Sequence, residues 1–304
     1  MSLRIGIIGG SGLGEALIEA MNPDDLHIVN PDTPFGTPSS SIVLGTVRGI
    51  RVALLKRHGI GHRLSPSRVP YRANIYALKT IGCTHVIASG ACGSLRAEIH
   101  PGELVVCDQI IDQTDGRPRS FFEHSAVHID FADPFCPVTR EWLMLASEQL
   151  DGQRVHPRGT YVCIEGPSFS TRAEALMHRG MGADVVGMTA LPEARLAREA
   201  ELPYALIALP TDDDCWRPRA SGQDTSSMTT HIRANLGRAV RSSVDLIHAA
   251  LGDVSLLREK ESPATTALTD AIWSNHDLLD PDEVEQLAIL WKHRLRRQME
   301  TEGD

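Results

Sequence analysis

The chain has little of what a nucleic-acid binder, a membrane protein or a disulfide-stapled secreted domain would need. Lys and Arg number 30 against 39 Asp and Glu, for a formal charge of -9, so no basic excess is there to meet a phosphate backbone. No apolar run approaches the ~20 residues of a membrane span. Cysteines stand at 83, 92, 107, 136, 163 and 215 with no C-x-x-C pair, mostly in apolar runs such as Val105-Val106-Cys107. Buried reduced thiols are expected, rather than a zinc site or a disulfide framework. Met1-Ser2-Leu3-Arg4-Ile5 enters a strand at once, without the apolar stretch of a signal peptide, and the expected location is the cytoplasm. Internal repeats and low-complexity tracts are also lacking.

What is there reads as an α/β chain. Its 304 residues, 42% hydrophobic and 23% charged, suffice for one large α/β domain or two small ones. Leu3 to Ile8 is a buried strand running into Gly9-Gly10-Ser11-Gly12-Leu13-Gly14 and a helix over 15–21. Such a turn either cradles an anion on backbone N–H groups or is merely tight. A dinucleotide fingerprint would need glycine at position 15, which is Glu, so an oxidoreductase remains only the alternative from another class. Strands over 42–47 and 51–55 form a hairpin, and the second ends in Lys56-Arg57-His58-Gly59, with His62 close behind. Arg57 and His58 are either phosphate donors or an exposed basic turn.

A helix over 71–81 precedes a strand over 84–88, which ends in a second small-residue turn, Ser89-Gly90-Ala91-Cys92-Gly93-Ser94. Residues 110–137 read as a long irregular loop carrying His124 and His128, too irregular for an i, i+4 metal pair, and no metal is expected. Further strand ends lead to Glu165-Gly166-Pro167-Ser168-Phe169-Ser170-Thr171 and to Gly187-Met188-Thr189, with Ser170 or Thr171 capping a helix. Polar or glycine turns repeated at strand C-termini argue for one site along that sheet edge.

The last of these strands, Tyr204 to Leu209, delivers Thr211-Asp212-Asp213-Asp214-Cys215-Trp216. Strand alternation turns Asp212 and Asp214 to one side and Asp213 to the other. The run is either a solvated acidic turn or, with Trp216, a grip on a flat heterocycle bearing N–H groups. A helix over 226–251 follows, with Gly252 as its C-cap. Asp280-Pro281-Asp282-Glu283 then opens a last helix with Val284, Leu287, Leu290, Trp291 and Leu295 on one stripe. The expected division is 1–252 as one domain and 253–304 as a helical extension packed on it or on a neighbouring subunit.

Taken in order, these stretches resemble the methylthioadenosine phosphorylases, within the wider trimeric purine nucleoside phosphorylase family. The likeness runs from about Ile5 to about Leu251 and rests on Gly9-Gly10-Ser11-Gly12-Leu13, Thr33-Pro34-Phe35-Gly36, Arg57-His58-Gly59 and Ala91-Cys92-Gly93-Ser94-Leu95. It continues through Pro134-Phe135-Cys136-Pro137, Ile164-Glu165-Gly166-Pro167, Gly187-Met188-Thr189, Thr211-Asp212 and Asp214-Cys215-Trp216. The fold implied is a single domain with a central mixed, twisted β-sheet flanked by helices, plus the C-terminal extension. The reaction implied is phosphorolysis of 5'-methylthioadenosine by a homotrimer, with nucleoside and inorganic phosphate as its partners and no metal or organic cofactor. Close alternatives are methylthioinosine or another 5'-substituted adenosine.

The resemblance implies a phosphate site of Ser11, Arg57, His58, Gly90, Ala91 and Thr189, with Met188 against the ribose. Phe169 and Ser170 would line the base pocket, and His62, His128, Thr225 and Met228 would surround the 5' substituent. Asp212 and Asp214 would act on the purine edge, with Asp213 in the same run. Asp212, raised in pKa by burial and its acidic neighbour, would donate to N7 of the leaving base, and Asp214 would accept from the 6-amino group. Two positions depart from the pattern: Gly90 stands where Thr is frequent, and Thr225 where adenosine-specific members carry Val.

Overall fold

The computed structural model describes residues 3–10, 12–217 and 225–301. β1 (Arg4–Gly9) shows at once why the chain folds in layers. Ile5 and Ile7 enter one hydrophobic cluster and Ile8 the opposite one, as a period of two requires of a strand covered on both faces. α1 (Leu13–Glu19) follows it directly. β2 (His27–Val29), β3 (Ile42–Val47) and β4 (Ile50–Lys56) are antiparallel neighbours. The β3–β4 loop is Arg48-Gly49, with φ of 51° and 78°, the left-handed pair that a two-residue hairpin needs. β4 then lies parallel to β1.

After α2 (Tyr71–Thr80) comes β5 (His85–Ser94), on which the sheet turns. The expected turn over 89–94 is strand instead. β5 lies parallel to β1 up to Ala88 and to β11 from Val86 to Gly93, and meets β10 antiparallel at Gly93 and Ser94, so 89–92 stays strand with its β11 edge paired. Its small residues serve close packing: a Cβ on Gly93 would sit 3.0 Å from Cβ of Asp214. Next are β6 (Leu104–Val106) and β7 (Gln109–Gln113). β7 falls at the start of the expected irregular region and is held by parallel pairing to a strand some fifty residues later. α3 (Pro137–Ser147), β8 (Val155–His156), β9 (Thr160–Ile164), α4 (Arg172–Gly180) and β10 (Val185–Gly187) follow. α4 opens on a capping box: Thr171 Oγ1 accepts from Glu174 N and the Glu174 carboxylate accepts from Thr171 N.

α5 (Glu193–Glu199) leads to β11 (Tyr204–Asp212), which runs parallel to β5 with a register shift between Pro210 and Asp212. α6 (Thr225–Ala250) returns along the sheet. The described strands form one mixed sheet in the order β2-β3-β4-β1-β5-β10-β9-β7, with β11, β6 and β8 branching from β5. Helices cover both faces: α1, α3 and α6 pack on one, α2 and α5 on the other.

The last segment comprises α7 (Ser255–Glu259), α8 (Pro281–Gln286) and α9 (Ala288–Thr301). Asp280 caps α8 as the sequence predicts, accepting from Asp282 N and Glu283 N. The single expected helix is broken at Leu287. There the indole N–H of Trp291 takes the Val284 carbonyl at 3.4 Å. Trp291 and Leu290 are fully buried in the same cluster as α2 and α5. Arg294 donates to Glu201 at 2.9 Å, and Glu283 accepts from the N–H groups of Glu123 and His124. The tail thus lies on the chain's own sheet domain.

Candidate active site

The C-terminal ends of β1, β4, β5, β9, β10 and β11 converge on a cavity of about 580 Å³, closed on one side by Ile232 and Leu236 of α6. The size suits a small organic ligand. Its polar groups gather at two poles.

One pole is built at the end of β11. The strand's pairing ends at Asp212, and the chain turns through Asp213 and Asp214, the latter with φ of 47°. Thr211 Oγ1 donates to Asp212 Oδ2 at 2.7 Å, and the Asp214 N–H donates to Asp212 Oδ1 at 2.8 Å. This local turn, rather than strand alternation, brings Asp212 and Asp214 to the same cavity wall. Burial raises the pKa of both. For Asp212 the donors at Thr211 and Asp214 oppose the rise and the Asp213 charge adds to it. Asp214 is pushed up to about 6 by burial and then by the Asp212 charge. Asp214 Oδ2 and Ser170 Oγ are buried without a well-formed hydrogen bond among the described residues, although Ser170 lies near enough to Asp214 to oppose the rise in its pKa. Buried polar atoms of this kind call for a ligand that supplies the missing partners.

The other pole lies at the end of β4. Arg57 is wholly buried, yet it is among the residues lining the cavity. Nε and Nη2 donate to the two carboxylate oxygens of Glu193, each at 2.7 Å, and Nη1 donates to the Ser89 carbonyl at 2.6 Å. Burial works against the arginine's charge, but Glu193 more than offsets it and raises its pKa. The arginine's bidentate fork is therefore occupied by a carboxylate, and two of its five N–H groups remain.

His58 stacks on His62 with ring centroids 4.2 Å apart, and its Nδ1 lies 2.8 Å from the Leu64 carbonyl. A carbonyl only accepts, so Nδ1 carries the hydrogen. Burial, and next the Arg57 charge, lower the pKa of His58 to about 4. At neutral pH the ring is uncharged and Nε2 is an acceptor, where the sequence reading had a donor. Thr189 is buried beside Gly90, and a Cβ at position 90 would lie 3.3 Å from its hydroxyl. The glycine at this position leaves that space to Thr189.

Of the residues singled out in the sequence, Arg57, His58, His62, Gly90, Ala91, Phe169, Ser170, Met188, Thr189, Asp212 and Asp214 line this one cavity. Three others stand elsewhere. Asp213 is not among the lining residues, and its carboxylate pairs with Arg217 at 3.4 Å. His128 packs edge-on against Trp273, 4.9 Å between centroids, and takes no part in the cavity wall. Trp216 does not grip a ligand in the cavity. Its indole N–H donates to Ser94 O at 2.9 Å, and the guanidinium of Arg179 lies 3.7 Å over its ring. Ser11 lies outside the described residues, as do the side chains of Thr225 and Met228.

Sequence reasoning missed Glu193 and Tyr204, whose hydroxyl donates to Glu193 Oε1 at 2.8 Å. Glu193 opens α5, where an acidic residue reads as a partner of the helix dipole. No local signal marks it as the counter-ion of an arginine 136 positions away.

The family described as "Phosphorylase superfamily" matches residues 4–250. The S-methyl-5'-thioadenosine phosphorylase of Geobacter sulfurreducens is 42% identical over 295 residues, covering 95% of this chain and 98% of that protein. The one from Synechocystis sp. is 44% identical over 291 residues, covering 94% and 86%. Among solved structures, a methylthioadenosine phosphorylase from an antarctic soil metagenomic library superposes with a TM-score of 0.86 at 42% identity, covering 95% of this chain and 99% of that one. The methylthioadenosine phosphorylase from Schistosoma mansoni, in complex with adenine, gives 0.75 at 36% identity, covering 86% and 93%.

Proposed function

The chain belongs to the phosphorylase superfamily, and from that premise we propose that it cleaves S-methyl-5'-thioadenosine with inorganic phosphate, giving adenine and 5-methylthioribose 1-phosphate. Family membership displaces the oxidoreductase alternative. The observation that carries the proposal is the presence, in one cavity, of a raised-pKa carboxylate pair and the Arg57–His58–Thr189 group.

Breaking the N9–C1' bond leaves positive charge on the ribose and negative charge on the purine. A phosphate oxygen held at the Arg57 pole attacks C1' from the face opposite the base, with inversion. Arg57 offers its two remaining N–H groups, Thr189 its hydroxyl and the Gly90-Ala91 backbone its N–H groups, while neutral His58 accepts a hydrogen from the phosphate. At the other pole Asp212 gives a proton to N7 as the base departs, and Asp214 accepts from the 6-amino group. A 6-oxo purine would set an acceptor against Asp214 and bind poorly. Ile232 and Leu236 keep part of the cavity apolar, which supports an uncharged 5' substituent such as methylthio.

The remaining parts of the proposal are a homotrimer working in a reducing cytoplasm, with phosphate as co-substrate and no further cofactor. Residues 1–252 form its phosphorylase domain and 253–304 its extension. The test is base release with and without phosphate: adenine from methylthioadenosine and adenosine, hypoxanthine from methylthioinosine. Phosphate-dependent release, with the highest kcat/KM for methylthioadenosine, is expected. Equal turnover without phosphate, or a preference for methylthioinosine, would overturn it.

A further inference from the structure

Arg57 reaches the phosphate pole already bound. Its charge is met by Glu193 at 2.7 Å on two atoms, the Tyr204 hydroxyl holds the same carboxylate at 2.8 Å, and Ser89 O takes a third N–H. All four side chains are buried: Arg57, Ser89 and Glu193 have no solvent exposure and Tyr204 has 2%. A guanidinium on a flexible stem would otherwise sample many rotamers. Here two parallel bonds fix its plane, and the carbonyl of β5 fixes its rotation within that plane. We infer that Glu193, given the phosphorolysis reading above, is the positioning residue of the phosphate site, clamping Arg57 so that one N–H on each terminal nitrogen faces the incoming anion.

The arrangement has an electrostatic consequence. The Arg57–Glu193 pair has no net charge, and the neighbouring His58 is neutral at pH 7. Phosphate is then held mainly by directed hydrogen bonds, and its negative charge stays available to the ribosyl cation rather than being quenched by a free arginine. Orientation therefore matters more at this site than the bare presence of a cation. A carboxylate drawn back by one methylene keeps the charge and loses the geometry.

Glu193→Asp makes that change, and Tyr204→Phe removes only the hydroxyl brace while keeping the ring stacked on Phe135. The readouts are KM for inorganic phosphate, KM for methylthioadenosine, and direct titration of inorganic phosphate into the free enzyme. Glu193→Asp is expected to raise phosphate KM about 10–100-fold, as losses of supporting partners do at bound ions, with nucleoside KM within about twofold. Tyr204→Phe should give a smaller rise in the same parameter and is informative even if Glu193→Asp folds poorly. In an Arg57→Lys background Glu193→Asp should add little, since its effect runs through the arginine. A purely structural role would lower Tm and active fraction while leaving phosphate KM and the titrated affinity unchanged in both single variants. That result, in an enzyme whose wild type is active, overturns the inference. A wild type without phosphate-dependent cleavage overturns the functional reading beneath it instead.

Discussion

Asp214→Asn tests whether the carboxylate wall is strained by its own charge. The folded protein holds Asp214 at about 6, against 3.8 for a free side chain, because burial and the Asp212 charge both penalise ionisation. The folded state therefore takes up this proton more readily than the unfolded chain does. The penalty is absent below about pH 4, develops as pH rises toward 6, and is complete above that. A shift of roughly two pH units is worth about 3 kcal/mol for a group sealed from water. Asp214 borders an open cavity, and solvent screening brings this to about 1–1.5 kcal/mol. Asparagine keeps the shape, tolerates the backbone φ of 47°, and leaves the Asp214 N–H to Asp212 bond in place. The variant should melt about 1.5–2.5 °C above wild type at pH 8, and the gap should fall by about half at pH 5. Differential scanning calorimetry of the two proteins at both pH values measures it. A lower Tm for the variant at pH 8, or a gap indifferent to pH, would refute the reasoning.

The same variant should lose selectivity in an activity assay, with methylthioinosine competing against methylthioadenosine, because an amide can donate to a 6-oxo group. Asp212→Ala should lower kcat by roughly two to four orders of magnitude in steady-state kinetics, the ordinary worth of a placed general acid. Retention of wild-type kcat would remove Asp212 from that role. Gly187→Ala would put a Cβ 1.9 Å from the Tyr161 hydroxyl and 2.5 Å from Cζ, so the backbone of β10 must shift. It should cost about 1–3 kcal/mol, read as a drop in Tm, and adding Tyr161→Phe should recover part of it.

Much of this protein was legible in the chain itself, because the signals were local. Ile5, Ile7 and Ile8 announce a strand covered on both faces, Thr171 with Glu174 announces a helix start, and Asp280 with Pro281 announces another. The order of motifs along the sheet edge identified the family and the residues that gather at one cavity. Where local signals misled, a distant partner had intervened. The small residues of 89–94 read as a turn until β11 and β10 are seen to pair with them. β7 has no clear pattern of its own and exists through β9.

The site divides in the same way. Composition and spacing placed Arg57, His58, Asp212 and Asp214 at strand ends, since the polypeptide's periodicity alone sets which residues reach that edge. Charge states and partners came from the tertiary structure. Only packing removes water from His58 and keeps it neutral down to about pH 4, and only packing sets Glu193 against Arg57. A turn at Asp214, closed by its bond to Asp212, separates the two cavity-facing carboxylates from Asp213 and turns Trp216 toward Arg179. Desolvation and long-range ion pairing depend on what surrounds a group in space, and neighbours in sequence carry no record of it.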